Sequence, residues 1–183
     1  LYTVFANDLS YFAPDARVIQ YADDTHILMS GGKEDIGALT GRMESALASL
    51  DVWFKANSLK VNASKTQLMV FGSRQNLRAL PVIDVCFRGD NIRPECSVRN
   101  LGVIFDPTLS WDDHVAHVVN KCIGMLIGLS HIRHYLPQAA VSTIVHGLVI
   151  SHLRYCITVF GNCSDKNHRK LQKVINFWAR VIA

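Results

Sequence analysis

An α+β fold is predicted for this 183-residue chain, with short antiparallel strands under one covering helix and then an all-helical bundle. Three observations carry the prediction. Tyr21-Ala22-Asp23-Asp24 lies between apolar flanks of strand length, Val18-Ile19 and Ile27-Leu28-Met29, which is the pattern of a β-hairpin tip. Ile36, Leu39, Met43, Leu47, Leu50 and Phe54 recur at spacings of three and four, the stripe of a helix laid on a sheet. From Ser110 onward the apolar period is helical. The two regimes meet near Pro107, which divides the chain into residues 1–107 and 108–183.

Taken in order, Leu1–Leu9 reads as the end of a helix or strand, and Ser10–Ala16, with Pro14-Asp15, as a turn. The hairpin ends at Ser30-Gly31-Gly32. Lys33–Lys55 forms the covering helix, with Glu34-Asp35 placed to suit its dipole and Asn57-Ser58 stopping it. Ala63–Thr66 is a tight turn, Gln67–Phe71 a strand, and Arg74–Leu80 a basic connector. Val82–Phe87 and Val98–Phe105 read as two strands joined through Gly89-Asp90 and Pro94. Ser110-x-x-Asp113 is a capping-box variant opening a helix with Val115, Val118, Val119, Cys122, Leu126 and Leu129 on one face. Pro137 opens the next helix, which runs toward Tyr155. Ser164 caps a last helix with Leu171, Val174, Ile175 and Trp178 on its apolar face and Lys166, Arg169, Lys170, Lys173 and Arg180 on the other. No internal repeat interrupts this order.

The composition, 49% hydrophobic, is that of a folded globular chain. The net charge of +4 is unevenly spread. Residues 1–60 hold 5 Lys and Arg against 8 Asp and Glu, and residues 61–183 hold 14 against 7. An acidic half before a basic half fits a metal site beside a polyanion-binding surface, and it also fits ordinary variation between surfaces. The 5 cysteines are odd in number and form no Cys-x-x-Cys pair, which argues against a disulfide framework and suits a reducing compartment, with Cys156 and Cys163 read as buried thiols. The spacing of Cys156, Cys163 and His168 matches no zinc pattern. His114/His117 and His131/His134 read as surface or boundary histidines. No run of about 18 apolar residues is present, so no membrane-spanning helix is expected.

Adjacent carboxylates at a tight turn repel each other, and a divalent cation with oxygen preference offsets that repulsion. Two such cations about 4 Å apart clamp the attacking and leaving oxygens of a phosphoryl transfer. Tyr21-Ala22-Asp23-Asp24 between apolar strands resembles the metal-binding hairpin of reverse transcriptases. So does Leu59-Lys60-Val61-Asn62-Ala63-Ser64-Lys65-Thr66, a Leu-x-x-Asn-x-x-Lys-Thr segment one long helix downstream, in the order and spacing of that family. Leu101-Gly102-Val103 running to Asp106, followed by Leu109-Ser110-Trp111, is similar to the region after the palm in non-LTR (LINE/jockey-like) retrotransposon enzymes, where it corresponds to the primer-gripping turn.

The resemblance implies an RNA-directed DNA polymerase, with residues 1–107 the later part of the palm and 108–183 a thumb-like bundle truncated at its C-terminus. Asp23 then ligates or bridges two Mg²⁺ ions (or Mn²⁺), Asp24 is the weaker ligand, and Tyr21, Ala22, Leu101 and Gly102 lie near primer and nucleotide. Lys65 is a general acid toward pyrophosphate by resemblance, or simply a solvated turn lysine. Gly102 admits either a bulky ligand or a neighbouring side chain. Lys166, Arg169, Lys170 and Lys173 fall to the nucleic-acid backbone. Implied partners are an RNA template, a DNA primer, dNTPs and the missing N-terminal half of the same polyprotein. The implied location is intracellular, nucleus or cytoplasm, with no membrane. The pattern is incomplete, because the family's additional metal-binding Asp and its Pro-Gln-Gly segment are not in this chain. The expectation is therefore a piece of a longer protein that does not polymerise alone. A non-catalytic remnant that binds nucleic acid or protein is the alternative, and an unrelated α/β protein with an acidic hairpin is the third.

Overall fold

The computed structural model describes residues 2–182. Its chain divides into two compact units, Leu1–Glu95 and Cys96–Ala183. The second unit begins ahead of the Pro107 boundary because the strands after Cys96 pack with the helices, Val103 being buried in the helical core.

In the first unit, helix α1 (Tyr2–Phe5) and a 3₁₀ turn (Leu9–Phe12) lead into strands β1 (Arg17–Tyr21) and β2 (Asp24–Leu28). These pair antiparallel, with Val18 opposite Ile27, Gln20 opposite Thr25 and Tyr21 opposite Asp24. Helix α2 (Ile36–Ala56) follows a 3₁₀ turn at Lys33–Asp35. Its stripe buries Ala46, Leu50 and Trp53 against Leu9 and Ala13, with Val18, Ile27 and Met29 packed on the same cluster. One face of the hairpin is therefore covered by α2, as predicted. Full burial of Leu50, at 2% exposure, contributes about 1.5–3 kcal/mol.

The end of α2 is a Schellman motif. The Leu59 N–H donates to the Phe54 carbonyl at 2.8 Å and the Ser58 N–H to Lys55 at 3.0 Å. Ser58 takes the left-handed conformation, φ 57°, and Leu59 packs with Phe54 on the same apolar cluster.

One prediction for this unit needs correction. Gln67–Phe71 is not a strand: Leu68 makes a single bridge to Pro94, and among the described residues no partner strand pairs with it. The basic connector Arg74–Leu80 holds a short helix, α3 (Arg74–Arg78), whose N-cap Ser73 accepts the Asn76 N–H. Strands β3 (Val85–Phe87) and β4 (Asp90–Ile92) form a second hairpin. Its turn, Arg88-Gly89, has positive φ at both residues, as a type I′ turn requires.

The second unit opens with a third hairpin, β5 (Val98–Asn100) and β6 (Val103–Phe105). The predicted single strand 98–105 is thus folded back on itself at Leu101-Gly102, φ 45° and 83°. Helices α4 (Asp112–Ile132), α5 (Gln138–Val145), α6 (Ser151–Arg154), α7 (Ile157–Phe160) and α8 (Asp165–Ile182) follow. A π-helical turn, His146–Ile150, joins α5 to α6, and Ser151 Oγ donates into it, to the Gly147 carbonyl at 2.6 Å. Buried Val115, Cys122 and Leu126 of α4, Val145 and Val149, Phe160, and Leu171 and Val174 of α8 share one core.

The segment Asp112–Tyr135, which is α4 and its extension, is long and apolar enough to cross a membrane by length and composition. Here α4 is the core helix of the bundle.

Candidate active site and nucleic-acid interface

The first hairpin closes through a two-residue turn, Ala22-Asp23. Ala22 has φ 52°, a left-handed conformation that costs a residue bearing Cβ about 1–2 kcal/mol. Asp23 completes the turn and Asp24 opens β2 opposite Tyr21. All four residues from Tyr21 to Asp24 are exposed. Among the described residues neither carboxylate accepts a hydrogen bond or joins an ion pair.

Strand alternation puts Tyr21 and Asp24 on the face away from α2, with Ile19 and Leu28. The covered face changes character toward the turn. Val18 and Ile27 pack on the core, but the next pair, Gln20 and Thr25, has a buried Nε2 and a buried Oγ1 without partners. The sequence signal for this polar step was the Gln20 and Thr25 that flank the Tyr-Ala-Asp-Asp.

Lys65 ends a 3₁₀ turn, Ala63–Lys65, organised by Asn62. The Asn62 side chain accepts from the Ser64 N–H at 3.1 Å and from Ser64 Oγ at 2.7 Å, and its carbonyl accepts the Lys65 N–H at 3.1 Å. The Lys65 side chain is exposed, and no hydrogen bond or ion pair among the described residues joins it to Asp23 or Asp24. The loop is tethered through Arg88, which donates to the Val61 carbonyl and to Asp51, each at 2.6 Å. Lys55 pairs with the same carboxylate at 2.7 Å. Lys55 pulls the Asp51 carboxyl below its ordinary range against the opposing effect of burial, and Arg88 adds to the lowering. Asp51, buried on α2, was not singled out from sequence; its signal is the Asp51/Lys55 pair at helical spacing.

Leu101 and Gly102 lie in the second unit, at the tip of the β5–β6 hairpin. Tyr155, which caps α6, donates its hydroxyl to the Leu101 carbonyl at 2.7 Å. A Cβ on Gly102 would meet the Tyr155 ring at 3.3 Å, so this glycine admits a neighbouring side chain. The hairpin continues into Asp106, which organises the approach to α4. Its carboxylate accepts from the N–H groups of Thr108 and Ser110 at 3.0 Å and of Trp111 at 2.9 Å, and from both hydroxyls. Burial raises the Asp106 carboxyl, but these donors outweigh it and hold it below its ordinary range. The predicted Ser110–Asp113 capping box does not form. Trp111 occupies the N-cap in the left-handed region with no side-chain cap of its own: the Ser110 N–H that Asp113 would accept goes to Asp106, and Ser110 Oγ accepts from the Asp112 N–H at 3.4 Å.

On α8, Lys166, Arg169 and Lys173 are exposed and Lys170 half-buried, opposite buried Leu171, Val174 and Val181. Asn167, fully buried and unforeseen, donates to Asp112 Oδ1 at 2.8 Å and ties the start of α8 to that of α4. His114 is a further correction: it is 2% exposed, not a boundary residue. Its Nδ1 accepts the Ile104 N–H at 3.3 Å and its ring meets Phe160 edge-on at 4.7 Å.

All five cysteines are free thiols, and burial pushes Cys122 up to about 11. Among the described residues no three His, Cys, Asp or Glu side chains converge as a metal-binding group. Asp23 and Asp24 nonetheless present hard oxygen donors of the kind divalent Mg²⁺ or Mn²⁺ takes, two of the several such a site needs.

The family model described as reverse transcriptase (RNA-dependent DNA polymerase) matches residues 1–105, from α1 through β6. No curated protein and no solved structure matches.

Proposed function

The chain belongs to the reverse transcriptase family, and from that premise we propose that it is part of an RNA-directed DNA polymerase of the non-LTR retrotransposon kind. Residues 1–107 act as the later portion of its palm and 108–183 as a thumb-like bundle. The observation that carries the reading is the pair of exposed, unpartnered carboxylates at the tip of a hairpin whose Val18 and Ile27 pack on α2. Asp23 and Asp24 are the metal ligands this chain contributes, for Mg²⁺ or Mn²⁺. When bound, the metal pair stabilises charge on the attacking and leaving oxygens of nucleotidyl transfer. Ala22, with only a methyl group, leaves room for a primer end above the turn, and Tyr21 borders it. Lys65 offers a proton or a positive charge to departing pyrophosphate. Leu101 and Gly102 border the primer, and the α8 row grips backbone phosphates. The template is RNA, the primer DNA, the substrates dNTPs, and the site of action intracellular, in nucleus or cytoplasm.

Two carboxylates on one turn do not complete a two-metal site. The third is assigned to polypeptide N-terminal to Leu1 in the same polyprotein. Residues 1–183 alone are expected to incorporate no nucleotide. Joined to that upstream segment they incorporate dNTPs on an RNA template in the presence of Mg²⁺, and Asp23→Asn abolishes this. Incorporation by residues 1–183 unaided, or full activity of Asp23→Asn in the joined protein, overturns the assignment.

A further inference from the structure

Within the second unit a cavity of about 520 Å³ lies between the Leu101-Gly102 turn, α4 and α6. Its chemistry is one-sided. Arg99 reaches it from β5, His114, His117 and Lys121 from α4, and His152 and Tyr155 from α6 and its C-cap. Among the described residues that line it none is acidic. Asp113, one turn before His117 on α4, is exposed and is not part of the lining. His114 brings a second, independent observation. Its Nδ1 accepts the Ile104 N–H, so Nε2 carries the ring proton. That Nε2 is buried with no partner.

A buried donor without an acceptor costs about 1–3 kcal/mol, and a group of cations without a counter-ion adds repulsion. The repulsion is visible in the histidines. Burial, then Lys121 and His117, lower His152 from its ordinary range. Burial, then His117 and Arg99, lower His114. An oxyanion with several acceptor oxygens answers the cationic groups of the lining at once. The cavity exceeds a bare phosphate ion and is of small-ligand size, so it has room for a nucleotide unit around the anion.

We propose that this cavity is an anion site for the phosphate of a nucleotide unit, held by Arg99, Lys121, His117 and His152. It uses none of the α8 lysines, and its assignment to nucleotide phosphate rests on the polymerase reading. Binding draws a proton onto His152, whose uptake burial and Lys121 oppose in the free protein, so affinity rises as pH falls. Each proton taken up contributes up to about tenfold per pH unit.

The test is a titration of ¹⁵N-labelled residues 1–183, followed through the histidine imidazole resonances at about pH 6 and about pH 8 and constant ionic strength. The probes are inorganic phosphate, a nucleoside 5′-monophosphate, a short single-stranded DNA, and chloride as reference. Saturable shifts of His114, His117 and His152 are expected with a phosphate ligand. They tighten at the lower pH, survive in Lys121→Arg and are lost in Lys121→Gln, whose exposed position spares the fold. Saturation by the free monophosphate identifies a nucleotide, and saturation by the strand alone identifies an in-chain phosphodiester; either supports the site. Shifts absent for every phosphate ligand, matched by chloride, or unchanged in both Lys121→Gln and His152→Gln overturn it. If the strand still binds while the cavity histidines stay silent, the inference fails and the polymerase reading stands. If phosphate fills the cavity but no strand binds, the anion site stands while the polymerase reading, and with it the assignment to nucleotide phosphate, is overturned.

Discussion

Removing the Asp106 carboxylate should loosen the start of α4 more than any other single polar truncation in the second unit. Three backbone N–H groups and two hydroxyls converge on it, and two of the residues in the loop it organises, Leu109 and Trp111, sit at positive φ. The hydroxyls regain water when the acceptor goes, so they contribute little to the loss. The three N–H groups belong to a bent, half-buried loop, and each loses about 1 kcal/mol of net stabilisation. Asp106→Ala should therefore cost about 3 kcal/mol. Asp106→Asn should cost roughly half of that, since one oxygen remains but its NH₂ faces a donor. Native-state amide exchange at Val119, Cys122 and Leu126 reads the second unit alone, and about 3 kcal/mol is more than a hundredfold acceleration. Because the folded Asp106 carboxyl is held low, its contribution is complete above the ordinary Asp value of about 3.9 and is lost as pH falls through the folded value. Wild type and Asp106→Ala should converge in that acid window. An acceleration under fivefold at neutral pH, or a gap that persists unchanged into acid, would refute the role given to Asp106.

Ser58→Gly should stabilise the first unit by about 1 kcal/mol, because glycine takes the left-handed Schellman position without strain; urea unfolding measures it. Gly102→Ala should destabilise the second unit by about 1–3 kcal/mol, through its φ of 83° and the Tyr155 ring 3.3 Å from the new Cβ; a thermal melt unchanged from wild type would contradict it. Reversal of Lys170 and Lys173 to Glu should weaken binding to all duplex sequences about equally. It should also flatten the salt dependence, by a log–log slope of about 0.7–0.9 for each phosphate no longer neutralised. Filter binding of the full chain at two salt concentrations checks this, and sequence-selective weakening would count against backbone recognition.

Much of this architecture was legible because it depends on local pattern. The Val18-Ile19 and Ile27-Leu28 flanks specify a hairpin, and the stripe from Ile36 to Phe54 specifies a helix over it. The amphipathic split of α8 was equally plain, since Leu171, Val174 and Trp178 recur at spacings of three and four while Lys166, Arg169, Lys170 and Lys173 take positions outside that stripe. What stayed hidden depends on pairs far apart or on unusual backbone. Leu101 at φ 45° gives no ordinary turn signal, so 98–105 read as one strand. His114 is buried because Phe160 and Ile104 meet it, and neither lies near it in sequence. Asn167 and Asp112 are 55 residues apart. The Arg88–Asp51 link spans 37 residues, yet it positions the Lys65 loop. For the candidate site, the acids were obvious from sequence, whereas the cationic cavity was not, because three separate elements each supply only one to three of its groups.

The strained Ala22 also bears on where the first hairpin finds its support. The Arg88-Gly89 turn suits its hairpin, with positive φ at both residues. Ala22-Asp23 does not: it demands left-handed backbone from alanine and brings two negative charges together. Strands β1 and β2 are held instead away from the tip, where Val18 and Ile27 pack on the Leu50–Trp53 surface of α2. The turn that presents Asp23 and Asp24 is therefore held shut from a distance, by the packing of its strands on α2. Loosening the grip of α2 at Leu50 or Trp53 should open the tip long before the rest of the unit melts.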